Sequence, residues 1–201
     1  MTDTKFNKFL LFINGLVPLG LLSWDGYFGQ LGANPVEFFL RTTGILTLSF
    51  LVLTLLISPM RKILGLNGLI RFRRMLGLYA FFYGLVHLVT YSIFDKSLDI
   101  TAIAGDVWQR PFIAFGMIAL TLMIPLAVTS TNGMIKRLGG KRWQKLHQLI
   151  YPIVILGVVH FYLIQKSDFT YPIIFGLIVF LLLGFRFFER LQKAGNKRSV
   201  T

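Results

Sequence analysis

Long apolar runs alternate with short polar segments along almost the whole chain. Six such runs occur, at about residues 9–23, 38–57, 76–94, 112–129, 146–164 and 170–188. A helix crosses the hydrocarbon core of a bilayer with about 20 apolar residues, within a range of roughly 17–25. Five runs have that length, and the first is expected to extend toward Phe6 and Trp24. The pattern predicts an all-α integral membrane protein with a six-transmembrane-helix bundle, organised as a single domain over residues 1–201.

The composition excludes several other protein classes. Hydrophobic residues make up 55% of the chain and charged residues only 14%, whereas soluble domains carry about 25% charged residues and disordered chains are poor in hydrophobic ones. The absence of cysteine excludes disulfides, thiolate zinc sites and iron–sulfur clusters. The net charge is +13, but the basic residues are grouped between apolar runs. This grouping is typical of membrane-protein loops rather than of nucleic-acid binding.

Basic residues are unequally divided between the two sides of the predicted bundle. The side that carries both chain ends has seventeen of them: Lys5, Lys8, Arg61, Lys62, Arg71, Arg73, Arg74, Lys136, Arg137, Lys141, Arg142, Lys145, Arg186, Arg190, Lys193, Lys197 and Arg198. The other side has four: Arg41, Lys96, Arg110 and Lys166. The positive-inside rule therefore places both termini in the cytoplasm, which agrees with an even number of spans.

Few residues within the predicted spans can carry chemistry. No Asp or Glu lies deep in a span, so a carboxylate proton relay is not supported. The phosphate-loop, nucleophile-elbow and zinc-protease motifs are missing from the sequence. The remaining candidates are His87 in the third span and His147 and His160 in the fifth. No substrate site is evident, so the residues leave open whether the chain is itself an enzyme.

His87 and His160 are expected at similar depths in the outer half of the membrane. At about 1.5 Å per residue, His87 lies about 16 Å from the inner end of its span near Leu76, and His160 about 20 Å along its own. Facing imidazoles on two helices can be the two axial ligands of one haem iron, and the alternative is an interhelical hydrogen bond. Zinc is disfavoured because no third ligand lies at that depth. Gly84 and Gly157, each one turn before a histidine, are expected to leave a flat recess for the macrocycle.

His147 is expected at the cytoplasmic end of the fifth span, where it is a candidate ligand of a second, inner haem. The matching positions of the third span hold Arg73 and Arg74, which do not ligate iron. On a straight helix His147 and His160 would also point about 220° apart, although Pro152 between them could change that phase. The alternative role of His147 is that of an interfacial residue beside an inner cofactor.

Four segments carry a resemblance to a known family. They are Arg73 to Tyr79 with His87, Thr129 to Thr131, Lys141 to His147 with Tyr151, and His160. Together they closely resemble the MsrQ (YedZ) family, the haem-binding membrane subunits of the bacterial periplasmic methionine sulfoxide reductase system MsrPQ. That family is similar in turn to the ferric-reductase-like transmembrane family. Members of the latter usually carry two histidines on each of two helices, whereas the third span here has one.

The resemblance implies a function in electron transport in the bacterial inner (cytoplasmic) membrane. It implies haem b with its iron held by His87 and His160, and FMN as a second cofactor. Electrons would pass from the quinone pool, or from a cytoplasmic flavin reductase, to the periplasmic molybdopterin enzyme MsrP, which repairs oxidised methionines in periplasmic proteins. Asp95, Asp99 and Asp106 in the outer loops are then expected to meet that partner. Membrane lipid surrounds the spans, and no nucleic-acid partner is implied.

Two other function classes stay open from the residues alone. The chain could be a small membrane transporter or a cofactor-free scaffold protein. A transporter commonly has carboxylates or a broken helix at membrane depth. The carboxylates are missing, although Pro125 and Pro152 within spans leave room for broken helices. Either alternative predicts a colourless protein, whereas haem gives the protein a b-type absorption spectrum.

Overall fold

The computed structural model describes residues 4–198, with side chains described as far as Gln192, and the regular structure of this part is helical throughout. Its α-helices are α1 Thr4–Tyr27, α2 Pro35–Ile63, α3 Arg73–Thr90, α4 Ile100–Gln109, α5 Pro111–Val128, α6 Asn132–Leu138, α7 Gly140–Leu146, α8 Ile150–Ile164 and α9 Thr170–Arg198. The predicted all-α, six-transmembrane-helix architecture is confirmed. Residues 1–3 and 199–201 of the expected single domain lie outside the described part.

Six helical segments of the described chain are long and apolar enough to cross a membrane. They are Thr4–Tyr27, Pro35–Ile63, Asn67–Asp95, Pro111–Val128, Gly140–Ile164 and Thr170–Gln192. The third segment joins a 3₁₀ turn, α3 and a π-helical turn, and the fifth joins α7, a 3₁₀ turn and α8. The end of the bundle at which α1 begins is called the basic end, after its charges, and the opposite end is called the acidic end.

α2 continues through a proline that the sequence pattern places beyond the end of the span. The predicted run stops at about residue 57, but the helix continues through Pro59 to Ile63. A proline has no N–H to donate to the carbonyl four residues earlier, which here belongs to Leu55. Arg186 of α9 supplies a donor instead, because its Nη2 lies 2.5 Å from that carbonyl oxygen and its side chain is buried. A bond from another helix thus replaces the one that Pro59 removes.

α2, α3, α5 and α8 form the centre of the bundle. α2 packs most extensively on α3, and α5 on α8. The fully buried side chains of this group include Leu55, Tyr83, Ile153 and Val154. α1 is more peripheral, since 11% of its span is buried against 50% for α2. The central four helices are therefore the ones that can enclose a site away from the surrounding lipid.

The short α4 is fastened to the acidic end by an ionic cluster. Asp106 of α4 accepts hydrogen bonds of 2.7 Å from Tyr91 and Lys96, and Arg110 approaches it to 3.4 Å. These bonds, chiefly the one from Lys96, hold the pKa of the Asp106 carboxyl below its usual range. Asp99 caps the first turn of α4 by accepting from two backbone N–H groups. All three carboxylates expected to meet a partner thus make contacts within the chain, because Asp95 also lies 3.4 Å from Lys96 Nζ.

Candidate metal centre

His87 and His160 lie side by side near the acidic end of the bundle. His87 stands one turn before the end of α3, and His160 one turn before the end of α8. Their ring centroids are 6.1 Å apart, and the ring planes are almost perpendicular at 87°. The structure thus brings together the two histidines that the sequence places at similar depths on different spans.

Each histidine uses one ring nitrogen to bond a backbone carbonyl of a neighbouring helix. His87 Nδ1 lies 3.0 Å from the carbonyl oxygen of Leu40 on α2, and His160 Nδ1 lies 2.6 Å from that of Phe112 on α5. A carbonyl oxygen only accepts, so both Nδ1 atoms carry the proton and donate. In a neutral imidazole the other nitrogen, Nε2, then has a free lone pair. Both rings are held in the tautomer that a metal ligand needs.

The separation of the two rings fits a metal ion between them. A bond of about 2.0 Å from each nitrogen to the metal, added to the size of the rings, separates the ring centres by about 6 Å. Two neutral nitrogens are a complete axial set for a haem iron, because the macrocycle supplies the other four ligands. Among the described residues, His, Asp and Glu form no group of three that could hold a bare metal ion. The donor set therefore suits haem.

Two glycines that the sequence analysis missed allow the histidines to reach their carbonyls. A Cβ at Gly44 would lie 3.4 Å from the His87 ring, and one at Gly116 would lie 2.9 Å from His160 Nδ1. Each glycine follows the accepting carbonyl by four residues, so it lies one helical turn above it on the same face. The sequence did contain a signal for these contacts: Gly44 and Gly116 each lie on a different span from the histidine that they face, at about the same predicted depth.

The recess predicted beside the histidines is filled instead of open. A Cβ at Gly84 would meet the side chain of Leu120 at 3.0 Å, and one at Gly157 would meet Leu48 at 3.4 Å. The prediction of a flat recess at these two glycines is therefore wrong. Small residues within membrane helices let neighbouring helices approach closely, and here the leucines of α5 and α2 use that space.

His147 lies at the basic end, in the 3₁₀ turn between α7 and α8. Its Nε2 is 3.0 Å from the hydroxyl of Thr129, and its ring stacks on Trp143 with centroids 4.0 Å apart. The Trp143 indole N–H also donates to the Thr129 carbonyl. Pro152 falls in the first turn of α8, directly after the 3₁₀ turn, so His147 and His160 belong to separate helical segments. His147 is thus held in a cluster of its own.

The chain is similar to proteins of one family over most of its length. Residues 43–158 match the ferric reductase like transmembrane component family. The chain is 51% identical, over 96% of its length and 89% of the relative, to the protein-methionine-sulfoxide reductase heme-binding subunit MsrQ of Herminiimonas arsenicoxydans. The MsrQ subunits of Azospira oryzae and Rhodospirillum rubrum are 48% and 43% identical, over 94% and 97% of this chain and 81% and 94% of their own lengths. No solved structure gives a significant match. The chain therefore belongs to the ferric-reductase-like transmembrane family and, within it, to the MsrQ family.

Proposed function

We propose that the protein holds one haem b between His87 and His160 and uses it to pass electrons across the membrane. The observation that carries this proposal is the pair of imidazoles, 6.1 Å apart, with both Nδ1 atoms committed to backbone carbonyls. The names of the similar MsrQ proteins describe them as heme-binding subunits, which supports it. When bound, the haem would be held by His87 and His160 and would supply an iron that can change valence.

The groups around the pair orient the ligands. The carbonyls of Leu40 and Phe112 fix the ring orientations from α2 and α5, so four helices define the position of the pair. A carbonyl that accepts from the far nitrogen also raises the basicity of the ligating one. The chain therefore contributes binding and orientation, and it needs a partner for substrate chemistry.

We further propose the orientation of the protein in the membrane from its charge distribution, and the direction of electron flow from the family resemblance. Both termini and the basic end face the cytoplasm of the bacterium, so the protein lies in the inner membrane with the histidine pair toward the periplasm. Electrons enter from the quinone pool or a cytoplasmic flavin reductase and leave to the periplasmic molybdopterin reductase MsrP. FMN is proposed from the resemblance alone, and no residue is assigned to it. One domain over residues 1–201 performs this function.

An absorption spectrum with matched variants tests the haem assignment. The purified protein is expected to give a b-type reduced-minus-oxidised spectrum, and His87→Ala and His160→Ala are each expected to lose most of the haem that a pyridine haemochrome assay counts. Thr121→Ala is the control, because Thr121 is exposed on α5 and bonds only within its own helix. Full haem content with an unchanged spectrum in both histidine variants would contradict the proposal.

The role of His147 is tested by the haem count. As a ligand of an inner haem, His147 would have to bind through Nδ1 or give up the bond from Nε2 to Thr129. His147→Ala then reduces the haem content from two per chain to one. A ratio of one in both the wild type and the variant, with an unchanged spectrum, assigns His147 to the cluster with Trp143 instead.

A further inference from the structure

A groove of about 680 Å³ lies between α1 and α3 near the basic end of the bundle. Its outer limit is the contact between the two helices, where Tyr79 and Tyr83 of α3 donate hydrogen bonds to the carbonyls of Phe12 and Gly15 on α1. Because Tyr79 bonds Phe12 and the later Tyr83 bonds the later Gly15, the two helices run in the same direction. Their basic first turns therefore meet at one end of the groove.

Three cationic side chains line that end of the groove: Lys8 of α1, Arg71 and Arg74. Arg71 donates to the hydroxyl of Thr4, and Arg74 donates to the amide oxygen of Asn132, so both guanidinium partners are neutral. Among the described residues that line the groove, none is Asp or Glu. The described walls of the groove therefore carry a positive charge that they do not themselves balance.

Apart from Ser130 and Asn132, the rest of the groove is mostly apolar, and it faces the surroundings of the bundle. Its walls include Phe12, Leu78 and Phe82. Phe12 and Leu78 are 49% and 40% exposed, which in a membrane-spanning segment is exposure to lipid. A groove that opens sideways to lipid and ends in three cations suits an amphiphile that arrives through the membrane.

We propose that this groove binds an anionic glycerophospholipid, with the phosphate at Lys8, Arg71 and Arg74 and an acyl chain along α1 and α3. Basic pockets between helices at the cytoplasmic side of a membrane bind anionic headgroups, and each cation near the surface contributes to the attraction. The acyl chain replaces bilayer contacts that the peripheral α1 would otherwise make. The site is separate from the histidine pair, which lies on α3 and α8 toward the opposite end of the bundle.

Lipid binding to the delipidated full-length protein tests the proposal. Mixed micelles with phosphatidylglycerol or phosphatidylcholine are added, and bound lipid is counted by native mass spectrometry beside the thermal unfolding midpoint. The wild type is expected to retain phosphatidylglycerol about ten-fold better than phosphatidylcholine. The double variant Arg71→Gln/Arg74→Gln is expected to lose this preference. Leu78→Trp, which fills the apolar wall and keeps the charges, is expected to lose the lipid itself.

A second double variant and two other anions separate this site from general charge effects. Lys141→Gln/Arg142→Gln removes two cations from the same end without touching the groove, and its preference for phosphatidylglycerol is expected to persist. An equal loss in both double variants would overturn the proposal. Stabilisation of the wild type by inorganic phosphate or FMN, without stabilisation by phosphatidylglycerol, would also overturn it in favour of a soluble anion. None of these readouts depends on haem.

Discussion

Gly116→Ala is expected to displace His160, whereas Gly44→Ala is expected to be tolerated. A Cβ at Gly116 would lie 2.9 Å from Nδ1 and 3.0 Å from Cε1 of His160. At Gly44 the corresponding distances to His87 are both 3.4 Å, a tight but ordinary contact. The optimum for such atom pairs is about 3.5–4.0 Å, so the same methyl group overlaps one imidazole and only touches the other.

The size of the effect follows from what His160 would have to give up. The ring is fixed by its 2.6 Å bond to the Phe112 carbonyl, so it cannot move away from a new methyl group without stretching that bond. Overpacking costs about 1–3 kcal/mol, and losing the hydrogen bond costs about 1 kcal/mol more. If at least half of the overpacking energy, together with the lost hydrogen bond, weakens the haem-bound state relative to the haem-free state, haem affinity falls by about ten-fold or more. Gly44→Ala should change affinity by less than about three-fold, within ordinary scatter for a tolerated core change.

Haem content per chain and the thermal unfolding midpoint measure this difference. The two alanine variants are compared with Gly77→Ala, since a Cβ at Gly77 of α3 meets no atom within 4 Å. The expected order of haem content places Gly116→Ala lowest, with Gly44→Ala and Gly77→Ala near the wild type. Equal haem content and equal stability in Gly116→Ala and Gly44→Ala would refute the reasoning, because the two positions differ only in that contact.

Three further changes test contacts away from the histidine pair. Asp106→Asn should lower the melting temperature at pH 7. The folded pKa of this carboxyl is depressed, so its contribution is present above the unfolded pKa of about 3.9 and is lost as the pH falls through the lower folded pKa. The melting temperatures of the two proteins should therefore converge gradually as the pH falls below about 4, and a constant difference would contradict this. Arg186→Gln should lower the free energy of unfolding by about 1.5–3 kcal/mol. The loss should be smaller in a Pro59→Ala background, because the N–H of the new alanine can donate to the Leu55 carbonyl that Arg186 otherwise bonds. Equal losses in the two backgrounds would show that Arg186 does not replace the bond that Pro59 removes. Tyr83→Phe should cost about 1 kcal/mol by losing its bond to α1, and unchanged stability would count against that bond.

The spans could be predicted from the sequence because lipid imposes a simple requirement. A backbone in hydrocarbon must satisfy its own hydrogen bonds, so a spanning helix shows itself as a long apolar run. α4 obeys no such rule: it has ten residues, and Asp106 fastens it to Tyr91 and Lys96 across the preceding turn. Its place depends on a contact between segments, and no local pattern in the sequence marks that contact.

The depth of the histidines could be predicted, but not what holds them. Depth follows from counting residues along a helix, which needs no knowledge of the neighbours. The groups that orient His87 and His160 are backbone carbonyls, which every residue has, so no residue type marks them. The same limit explains why the recess predicted beside His87 is not open. Gly84 shares a helix face with His87, but Leu120 of another helix occupies the space beside this glycine.

Backbone carbonyls also bear on the two roles that the sequence leaves open for the histidine pair. A hydrogen bond between His87 and His160 needs a donor nitrogen on one ring and an acceptor on the other. Both Nδ1 protons are already donated to carbonyls, so both neutral rings have only an acceptor, Nε2, left. Two acceptors cannot bond each other, whereas a cation between the rings could accept both lone pairs. A direct hydrogen bond between the two rings is thus the arrangement that these tautomers forbid, although each ring does form an interhelical hydrogen bond to a carbonyl. A metal ion between the rings, as proposed above, would use both remaining lone pairs.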